Sequence, residues 1–327
     1  MDFELSADEV ALAEATRSFC EGRFPMKTVR ELIDEGGVRR ELWKELAGTG
    51  VFGMCLAESE GGAGLAMTEA VLVFEELGRA LVPGPLVASH LAAGRLSGVA
   101  EGDRVVGMVE LTRTPVLVEH PTALDALLAF NARGEVVEVA AAAIPREQLP
   151  QPFDPLTPVA LAGHGMGGRV VFRGREAQAF VRRATALLGA FAVGIAARTV
   201  EMGVAYAQQR YQFDRPIGSF QAVKHLLADA ATRTEVARAA VHAAGVTLDD
   251  AEAGILPVSL AERAVTAGKL LACDAAVANA RTCLQVHGGM GFTWEVDVHL
   301  YLKRALVLAS QFGTAKELSE RMAGYVH

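Results

Sequence analysis

Cysteine and aromatic residues are scarce in this chain of 327 residues. The four cysteines (Cys20, Cys55, Cys273 and Cys283) show no CxxC spacing, which would be typical of a zinc or dithiol site. Their apolar helical surroundings predict buried thiols in a reducing compartment, with neither a disulfide framework nor a metal site. Aromatic residues make up 6%, and the only tryptophans are Trp43 and Trp294.

Long uncharged apolar runs and an excess of positive charge are also missing. No stretch reaches the roughly 20 apolar residues that span a bilayer, and the acidic opening with Asp2, Glu4, Asp8 and Glu9 is unlike a signal peptide. A net charge of −8 argues against nucleic acid as a partner. We therefore expect a cytoplasmic globular protein with no membrane or nucleic-acid partner. A phosphorylated cofactor is still allowed, because it needs only a local cationic cluster.

The pattern of apolar residues divides the chain into three regions. Residues 1–100 read as an N-terminal helical domain, which opens with a capping box of Ser6 and Glu9. Residues 101–175 contain short β-branched runs separated by turns and predict a reduced antiparallel β domain. The runs are Val105–Val109, Val116–Val118, Glu135–Val139 and Arg169–Phe172.

Residues 176–327 return to long helical patterns. Two apolar stripes recur at spacings of three and four, and many of their positions are alanine, which lets helices approach closely. The stripes are Leu188, Phe191, Ile195, Thr199, Met202, Tyr206 and Leu260, Ala264, Ala267, Leu271, Ala275, Ala278. We predict a C-terminal four-helix-bundle domain, with two shorter helices after Trp294. The fold class is therefore mainly α with a small β domain.

The first candidate site is the stretch Arg210–Gln221 between two long helices. A guanidinium at Arg210 has the geometry to grip a phosphate or carboxylate in two parallel hydrogen bonds. Pro216 and Gly218 break the helix, and Gln221 opens the next one with His225 on the same face. The alternative interpretation is a polar turn between helices.

The second candidate site is the glycine-rich stretch Gln285–Thr293. Gly288, Gly289 and Gly291 permit close approach of a ligand to the backbone, because no Cβ intervenes. The alternative is an ordinary helix C-cap, and His225 and His287 are equally compatible with structural roles.

Together these two stretches resemble the acyl-CoA dehydrogenase family, whose members carry Arg-x-x-Phe-Gly-x-Pro-Ile-x-x-Phe-Gln and Gln-x-x-Gly-Gly-x-Gly at this separation. Glu60–Gly64 and Phe74–Arg79 are similar to it too, and the likeness covers residues 1–95 and 176–327. It implies FAD as the cofactor and acyl-CoA as the substrate. The implied roles are pyrophosphate pairing for Arg210, packing beside the cofactor for Phe213, ribityl or adenosine contacts for Gln221 and His225, and an adenine cradle from Gln285, Gly288 and Gly289. Asp214 departs from the family's usual glycine, and its carboxylate would repel a pyrophosphate unless an arginine neutralises it.

Two parts of the family's machinery are missing from the sequence. Residues 101–175 contain neither the Glu-Pro-x-Ala-Gly-Ser-Asp loop nor the Trp-Ile-Thr/Ser-Asn strand that hold the flavin ring in the family. The usual catalytic base precedes Gly-Thr, where this chain has Phe312, and the minority position corresponds to Ala184 or Thr185. None of these side chains accepts a proton, so we assign no catalytic residue to this chain.

The resemblance therefore suggests half an enzyme, similar to the short subunit of actinobacterial α2β2 acyl-CoA dehydrogenases that act on steroid side chains. A longer partner subunit would supply the base and the ring pocket, and an electron-transfer flavoprotein would accept the electrons. Two alternatives stay open. One is a homo-oligomeric enzyme with a displaced base, for which Glu317 or Glu176 are the candidates; the other is a non-catalytic scaffold derived from a dehydrogenase.

Overall fold

The computed structural model describes residues 5–325, and they form mainly helices. The helices are α1 (Ala7–Arg23), α2 (Met26–Asp34), α3 (Arg40–Gly48), α4 (Met67–Arg79), α5 (Leu86–Ala92), α6 (Gly174–Gln209), α7 (Gln221–Glu252), α8 (Val258–His287), α9 (Val298–Leu308) and α10 (Ala315–Gly324). The strands are β1 (Val106–Glu110), β2 (Val116–Glu119), β3 (Ala126–Phe130), β4 (Val136–Val139), β5 (Val159–Ala162), β6 (Gly168–Phe172), β7 (Tyr211–Gln212) and β8 (Arg215–Pro216).

The chain divides into two compact units. One comprises the chain up to Met26, Val71–Val82 and the chain from Thr185 onward; the other comprises Lys27–Ala70 and Pro83–Ala184. Whether residues 1–100, 101–175 and 176–327 also behave as domains stays a prediction. The predicted capping box is confirmed, since the backbone N of Glu9 donates to Ser6 Oγ and that of Ser6 donates to the Glu9 carboxylate.

The β region contains more strands than the sequence predicted. Strands β1, β3, β4 and β6 form one sheet in that order, and β2 pairs with β5 in a second sheet. The expected antiparallel pairing holds for β3–β4, β4–β6 and β2–β5, whereas β1 runs parallel to β3 with Val106 opposite Ala126. Strand β3 was missed because a short, fully apolar run such as Ala-Leu-Leu-Ala-Phe has no alternation to distinguish a strand from a helix.

Two glycines bring α4 and α6 into close contact. A Cβ on Gly194 would lie 1.9 Å from the carbonyl oxygen of Glu75, and one on Gly78 would lie 2.0 Å from that of Phe191. Glu75 is itself buried and accepts hydrogen bonds from Arg238 Nε at 2.8 Å and His242 Nε2 at 3.1 Å, both on α7. Helices α4 and α6 are thus joined by backbone contact, and α4 and α7 by one buried charged cluster.

The long helices differ in how they use their predicted stripes. Leu188, Phe191, Ile195 and Thr199 are all buried on α6, as predicted. By length and composition α6 is apolar enough to cross a membrane, but 67% of its most apolar window is buried inside the protein, as in a core helix. On α8, by contrast, Leu260 and Leu271 are exposed by 42% and 39%, and Ala275 is the one residue of the predicted stripe that is buried.

The four cysteines form no disulfide with one another, and three of them are buried. Burial raises the pKa of Cys20 and Cys283 to about 12 and also raises the pKa of Cys273. Cys55 differs from the expectation, because it lies in the turns after α3 and is only half-buried.

Candidate cofactor site

The site is built where α6 ends and the chain turns into α7. The backbone N of Arg210 still donates to Tyr206 O at 2.9 Å, and Arg210 O accepts from the backbone N of Ile217 at 2.8 Å. Strands β7 and β8 form a hairpin between these contacts, with Tyr211 opposite Pro216. A Cβ on Gly218 would lie 3.0 Å from Ala207 O, so the chain after the hairpin packs tightly against the end of α6.

The tip of the hairpin is a two-residue turn with unusual backbone angles. Phe213 and Asp214 have φ values of +53° and +61°, as expected for a type I′ turn. Positive φ values are more favourable for glycine than for other residues. This accounts for the family's preference for glycine where this chain has Asp214. The Asp214 carboxylate has no ion-pair partner within residues 5–325. The neutralising arginine that the sequence suggested is therefore not supplied inside the described chain.

Phe220 holds the hairpin against the start of α7. The Arg215 guanidinium carbon lies 4.0 Å from the centroid of the Phe220 ring, and Phe213 meets that ring edge-on at 6.1 Å. Phe213 itself is 85% exposed. Phe213, for which the family resemblance implies packing beside the cofactor, is therefore exposed on a turn that Phe220 contacts.

The glycine-rich stretch lies at the end of α8. Gly288 has φ +60°, and a Cβ on Gly288 or Gly289 would meet nothing within 4 Å. A Cβ on Gly291 would approach Leu284 O to 2.7 Å. Packing inside the chain therefore requires glycine at 291, whereas the open surface at 288 and 289 fits a cradle for another molecule.

One aromatic stack joins the two stretches. Tyr206, one turn before Arg210, stacks on His287, directly before Gly288, with 4.1 Å between ring centroids. His287 is buried, and its Nδ1 lies 2.8 Å from Cys283 O, which makes it a structural histidine. This contact could not be predicted from the sequence, because Tyr206 and His287 belong to different helices and no local pattern pairs them. The stack places Tyr206 near the end of α6 against the last residue of α8, the two helices from which the stretches continue.

The polar side chains predicted for the site are available to a ligand. Arg210, Gln221, His225 and Gln285 are exposed, and their side chains have no hydrogen-bond or ion-pair partner among the described residues. Gln221 begins α7, whose first hydrogen bond joins the backbone N of Lys224 to Phe220 O, so the preceding backbone N–H groups point out of the helix. A guanidinium, a helix N-terminus and a Cβ-free turn suit a phosphorylated cofactor.

The positions where a catalytic base is expected are apolar or neutral and buried. Phe312 is 5% exposed with φ +48°, and Ala184 and Thr185 are 0% and 4% exposed on α6. The two displaced-base candidates are both engaged. Glu317 Oε2 accepts from the backbone N of Thr314 at 2.7 Å in the capping box of α10, and Glu176 pairs with Arg95.

Comparison with known proteins agrees with this fold. Residues 6–99 match the N-terminal domain of acyl-CoA dehydrogenases and residues 175–323 match the C-terminal domain. The chain is 31% identical to the acyl-CoA dehydrogenase IpdE2 of Mycolicibacterium smegmatis over 98% of this chain and 100% of that protein. It therefore belongs to the acyl-CoA dehydrogenase family. As such it is an oxidoreductase acting on acyl-CoA, with FAD as the cofactor.

Two solved structures extend the likeness. The ChsE4–ChsE5 complex of Mycobacterium tuberculosis matches with a TM-score of 0.83 and 25% identity over 100% of this chain and 99% of that one. The Tcur3481–Tcur3483 steroid acyl-CoA dehydrogenase, a G363A variant, matches in fold with a TM-score of 0.81 and 22% identity over 98% and 97% of the two chains.

Proposed function

We propose that this chain is the subunit without a base in a heteromeric FAD-dependent acyl-CoA dehydrogenase that introduces an α,β double bond into an acyl-CoA thioester. Its own residues hold the nucleotide end of FAD. The partner, a longer dehydrogenase subunit in an α2β2 assembly, supplies the general base and the pocket for the flavin ring. FAD supplies the redox chemistry when bound, and the chain described here binds and orients it.

The buried phenyl ring of Phe312 is the observation on which this proposal rests. α,β-Desaturation needs a group that removes the α-proton, and a phenyl ring has no lone pair for it. Glu317 does not serve as the base instead, because its carboxylate accepts hydrogen bonds from Thr314 and caps α10. Glu176 is held by Arg95. A homo-oligomeric enzyme with either carboxylate as the base is therefore disfavoured.

The retained cofactor side chains argue against a scaffold. Arg210, Gln221, His225 and Gln285 have no partner within the described chain, and Gly288 and Gly289 leave their surface open. A non-catalytic scaffold does not need exposed polar side chains next to glycine backbone that is open to a ligand. A site that grips FAD without a base is useful only if the cofactor spans two subunits.

Exposed apolar side chains support assembly with another chain. Phe213, Met290 and Phe292 lie in or beside the cofactor stretches and are exposed by 85%, 45% and 76%. Monomeric soluble proteins rarely expose large apolar patches, so a group of exposed apolar side chains indicates an interaction surface. The outward-facing Leu260 and Leu271 on α8 add to the apolar surface of this unit.

The substrate and cellular setting follow by analogy with the relatives. Two of the matched structures are assemblies of two different chains, and one of them is a steroid acyl-CoA dehydrogenase. We propose a CoA thioester of a steroid side chain as the substrate, electron-transfer flavoprotein as the acceptor and the cytoplasm as the location.

Co-expression with a longer dehydrogenase subunit tests the proposal. The single chain is expected to purify colourless, and the pair is expected to carry flavin absorbance with fewer flavins than polypeptides. One flavin per polypeptide in the purified single chain would instead favour the homo-oligomer. A chain that stays colourless with every longer dehydrogenase subunit would favour the scaffold.

A further inference from the structure

Tyr206, on the last turn of α6, makes one contact with each of the two cofactor stretches. The backbone N–H of Arg210 donates to the Tyr206 carbonyl oxygen, with 2.9 Å between N and O. The Tyr206 ring stacks on His287 with 4.1 Å between the centroids and 22° between the ring planes. His287 directly precedes Gly288. The start of the hairpin and the start of the glycine turn are therefore linked through a single residue.

The stack forms where α6 and α8 approach each other closely. A Cβ on Gly203 would lie 3.7 Å from Cys283 Sγ and 2.9 Å from Leu227 Cδ2 on α7. Gly203 precedes Tyr206 by three residues on α6. Cys283 precedes His287 by four on α8, so each pair shares one face of its helix. The missing side chain at position 203 lets the helices come close enough for the next pair to meet ring on ring.

His287 in turn fixes the glycine turn at both of its ends. The imidazole Nδ1 lies 2.8 Å from Cys283 O, and a carbonyl oxygen only accepts, so Nδ1 carries the proton. Gly288 follows with φ +60° and ψ −140°, angles that residues with a Cβ rarely adopt. At the far end a Cβ on Gly291 would approach His287 Cβ to 3.1 Å. The open backbone of Gly288 and Gly289 thus lies between two contacts with one fixed side chain.

We propose that Tyr206 is a positioning residue for the cofactor site and acts through His287. This role rests on the proposed function, in which Arg210 and the open glycine turn hold the nucleotide end of FAD. The stack keeps the turn in one conformation before the cofactor binds, so binding does not have to order it. The Tyr206 hydroxyl has no hydrogen-bond partner among the described residues, so the contribution to the turn comes from the ring.

Hydrogen exchange in the single chain tests the positioning without any cofactor. Tyr206→Leu removes the ring, and the amides of residues 288–293 are expected to exchange about three- to tenfold faster, the contribution of an aromatic pair. Tyr206→Phe keeps the ring and is expected to match the wild type. Val241→Ala, a buried truncation on α7, is the control for general destabilisation. Equal exchange in the wild type and Tyr206→Leu, or equal acceleration by Val241→Ala, overturns the proposal.

A second pair of variants keeps the test decisive if Tyr206→Leu does not fold. His287→Leu removes the same stack from the side of α8, whereas His287→Phe gives Tyr206 an aromatic ring to stack on. Both variants lose the hydrogen bond to Cys283 O, so they differ in the ring alone. Faster exchange of residues 288–293 in His287→Leu than in His287→Phe is expected. Equal exchange in the two contradicts a role for the stack.

Flavin release from the pair co-purified with a longer dehydrogenase subunit tests the consequence for the cofactor. Tyr206→Leu is expected to release flavin about three- to tenfold faster than the wild type, and Tyr206→Phe and Val241→Ala at the wild-type rate. Equally fast release from Tyr206→Phe and Tyr206→Leu would assign the effect to the hydroxyl and overturn positioning through the ring. A wild-type pair without flavin overturns the proposed function. A flavin-bearing pair that Tyr206→Leu leaves unaffected overturns the role of Tyr206 alone.

Discussion

The ammonium group of Lys269 donates a hydrogen bond to the carbonyl oxygen of Gly313, with 2.9 Å between Nζ and O. Lys269 is 1% exposed on α8, and Gly313 directly follows Phe312. Phe312 and Gly313 have φ values of +48° and +117°, and the left-handed angle is unfavourable for a phenylalanine. A buried charged group thus fixes the loop that carries the base in most of the family.

Replacing this lysine should destabilise the fold. Lys269→Met keeps the length and apolar volume of the side chain but leaves Gly313 O without this donor. An unsatisfied buried acceptor costs about 1–3 kcal/mol, and we expect a loss of that size in the free energy of unfolding, measured with urea. The exposed change Lys224→Met should stay within about 0.5 kcal/mol. Equal effects from both variants would contradict the anchoring role of Lys269.

Restoring a carboxylate at the apparent base position should not restore activity. Phe312→Glu places a proton acceptor where the family has one, but the sequence elements that hold the flavin ring are missing from residues 101–175. We expect the single chain carrying Phe312→Glu to show no reduction of an artificial electron acceptor with acyl-CoA. Phe312→Leu serves as the matched apolar control. Turnover by the purified Phe312→Glu chain alone would contradict the proposal that a partner subunit supplies the pocket for the flavin ring.

The helices could be predicted because their signals are local, whereas the cofactor role of the two stretches stays a prediction. The capping box of Ser6 and Glu9 and the α6 stripe each lie within a few turns of one helix. The unmatched base position at Phe312 was equally visible, since it sits beside Gly313 and Thr314 in the sequence. Each of these features could be predicted from the residue types within one short segment of the sequence.

Features that depend on contacts between distant segments could not be predicted. The parallel pairing of β1 with β3, the Tyr206–His287 stack and the Lys269–Gly313 hydrogen bond each join residues far apart in the chain. The outward face of α8 was also missed. Periodicity identifies an apolar stripe such as that of Leu260 and Leu271, but it does not say whether the stripe meets this chain or another one.

Gly194 should tolerate no side chain. A Cβ on Gly194 would lie 1.9 Å from the backbone oxygen of Glu75. A backbone atom in a helix cannot move aside as the end of a flexible side chain could. We expect Gly194→Ala to lower the free energy of unfolding by about 1–3 kcal/mol or more, the usual cost of overpacking. Gly22→Ala on α1 is the control, because nothing lies within 4 Å of its Cβ position. It should gain up to about 0.5–1 kcal/mol from helix propensity, and opposite signs in urea titrations are the result to look for.

The neutral His90 should make stability depend on pH. Burial, with a smaller contribution from Arg183, lowers the pKa of His90 to about 4, from 6.5. The unfolded chain therefore binds a proton on His90 over a range in which the folded chain does not. Stability should fall as the pH drops from about 6.5 to about 4, with a slope from this group of up to about 1.4 kcal/mol per pH unit.

His90→Leu isolates this effect. It removes the hydrogen bond to Val51 O and is expected to be less stable than the wild type at pH 7. Because it cannot titrate, the difference from the wild type should shrink as the pH falls through this window. Urea unfolding at pH 7, 6 and 5 measures the two slopes. Parallel slopes would mean that His90 is not buried in its neutral form.

Arg210 should hold FAD in the assembled complex. Its guanidinium is exposed and has no partner among residues 5–325, and Arg210 follows one turn after Tyr206, which stacks on His287. Arg210→Ala should weaken FAD retention by about 1.5–3 kcal/mol, the range for a charge-assisted hydrogen bond. Flavin dissociation from the co-purified pair measures this loss.

The matched control for Arg210→Ala is Arg263→Ala, an exposed arginine on α8 outside the cofactor stretches. It removes the same charge, so any general electrostatic attraction of FAD is lost equally in both variants. Only the position differs. A larger loss at Arg210 therefore reports a direct contact with the cofactor. Flavin retention that is equally weak, or equally strong, in the two variants would remove Arg210 from the site, and with it the reason to regard this chain as part of a shared cofactor pocket.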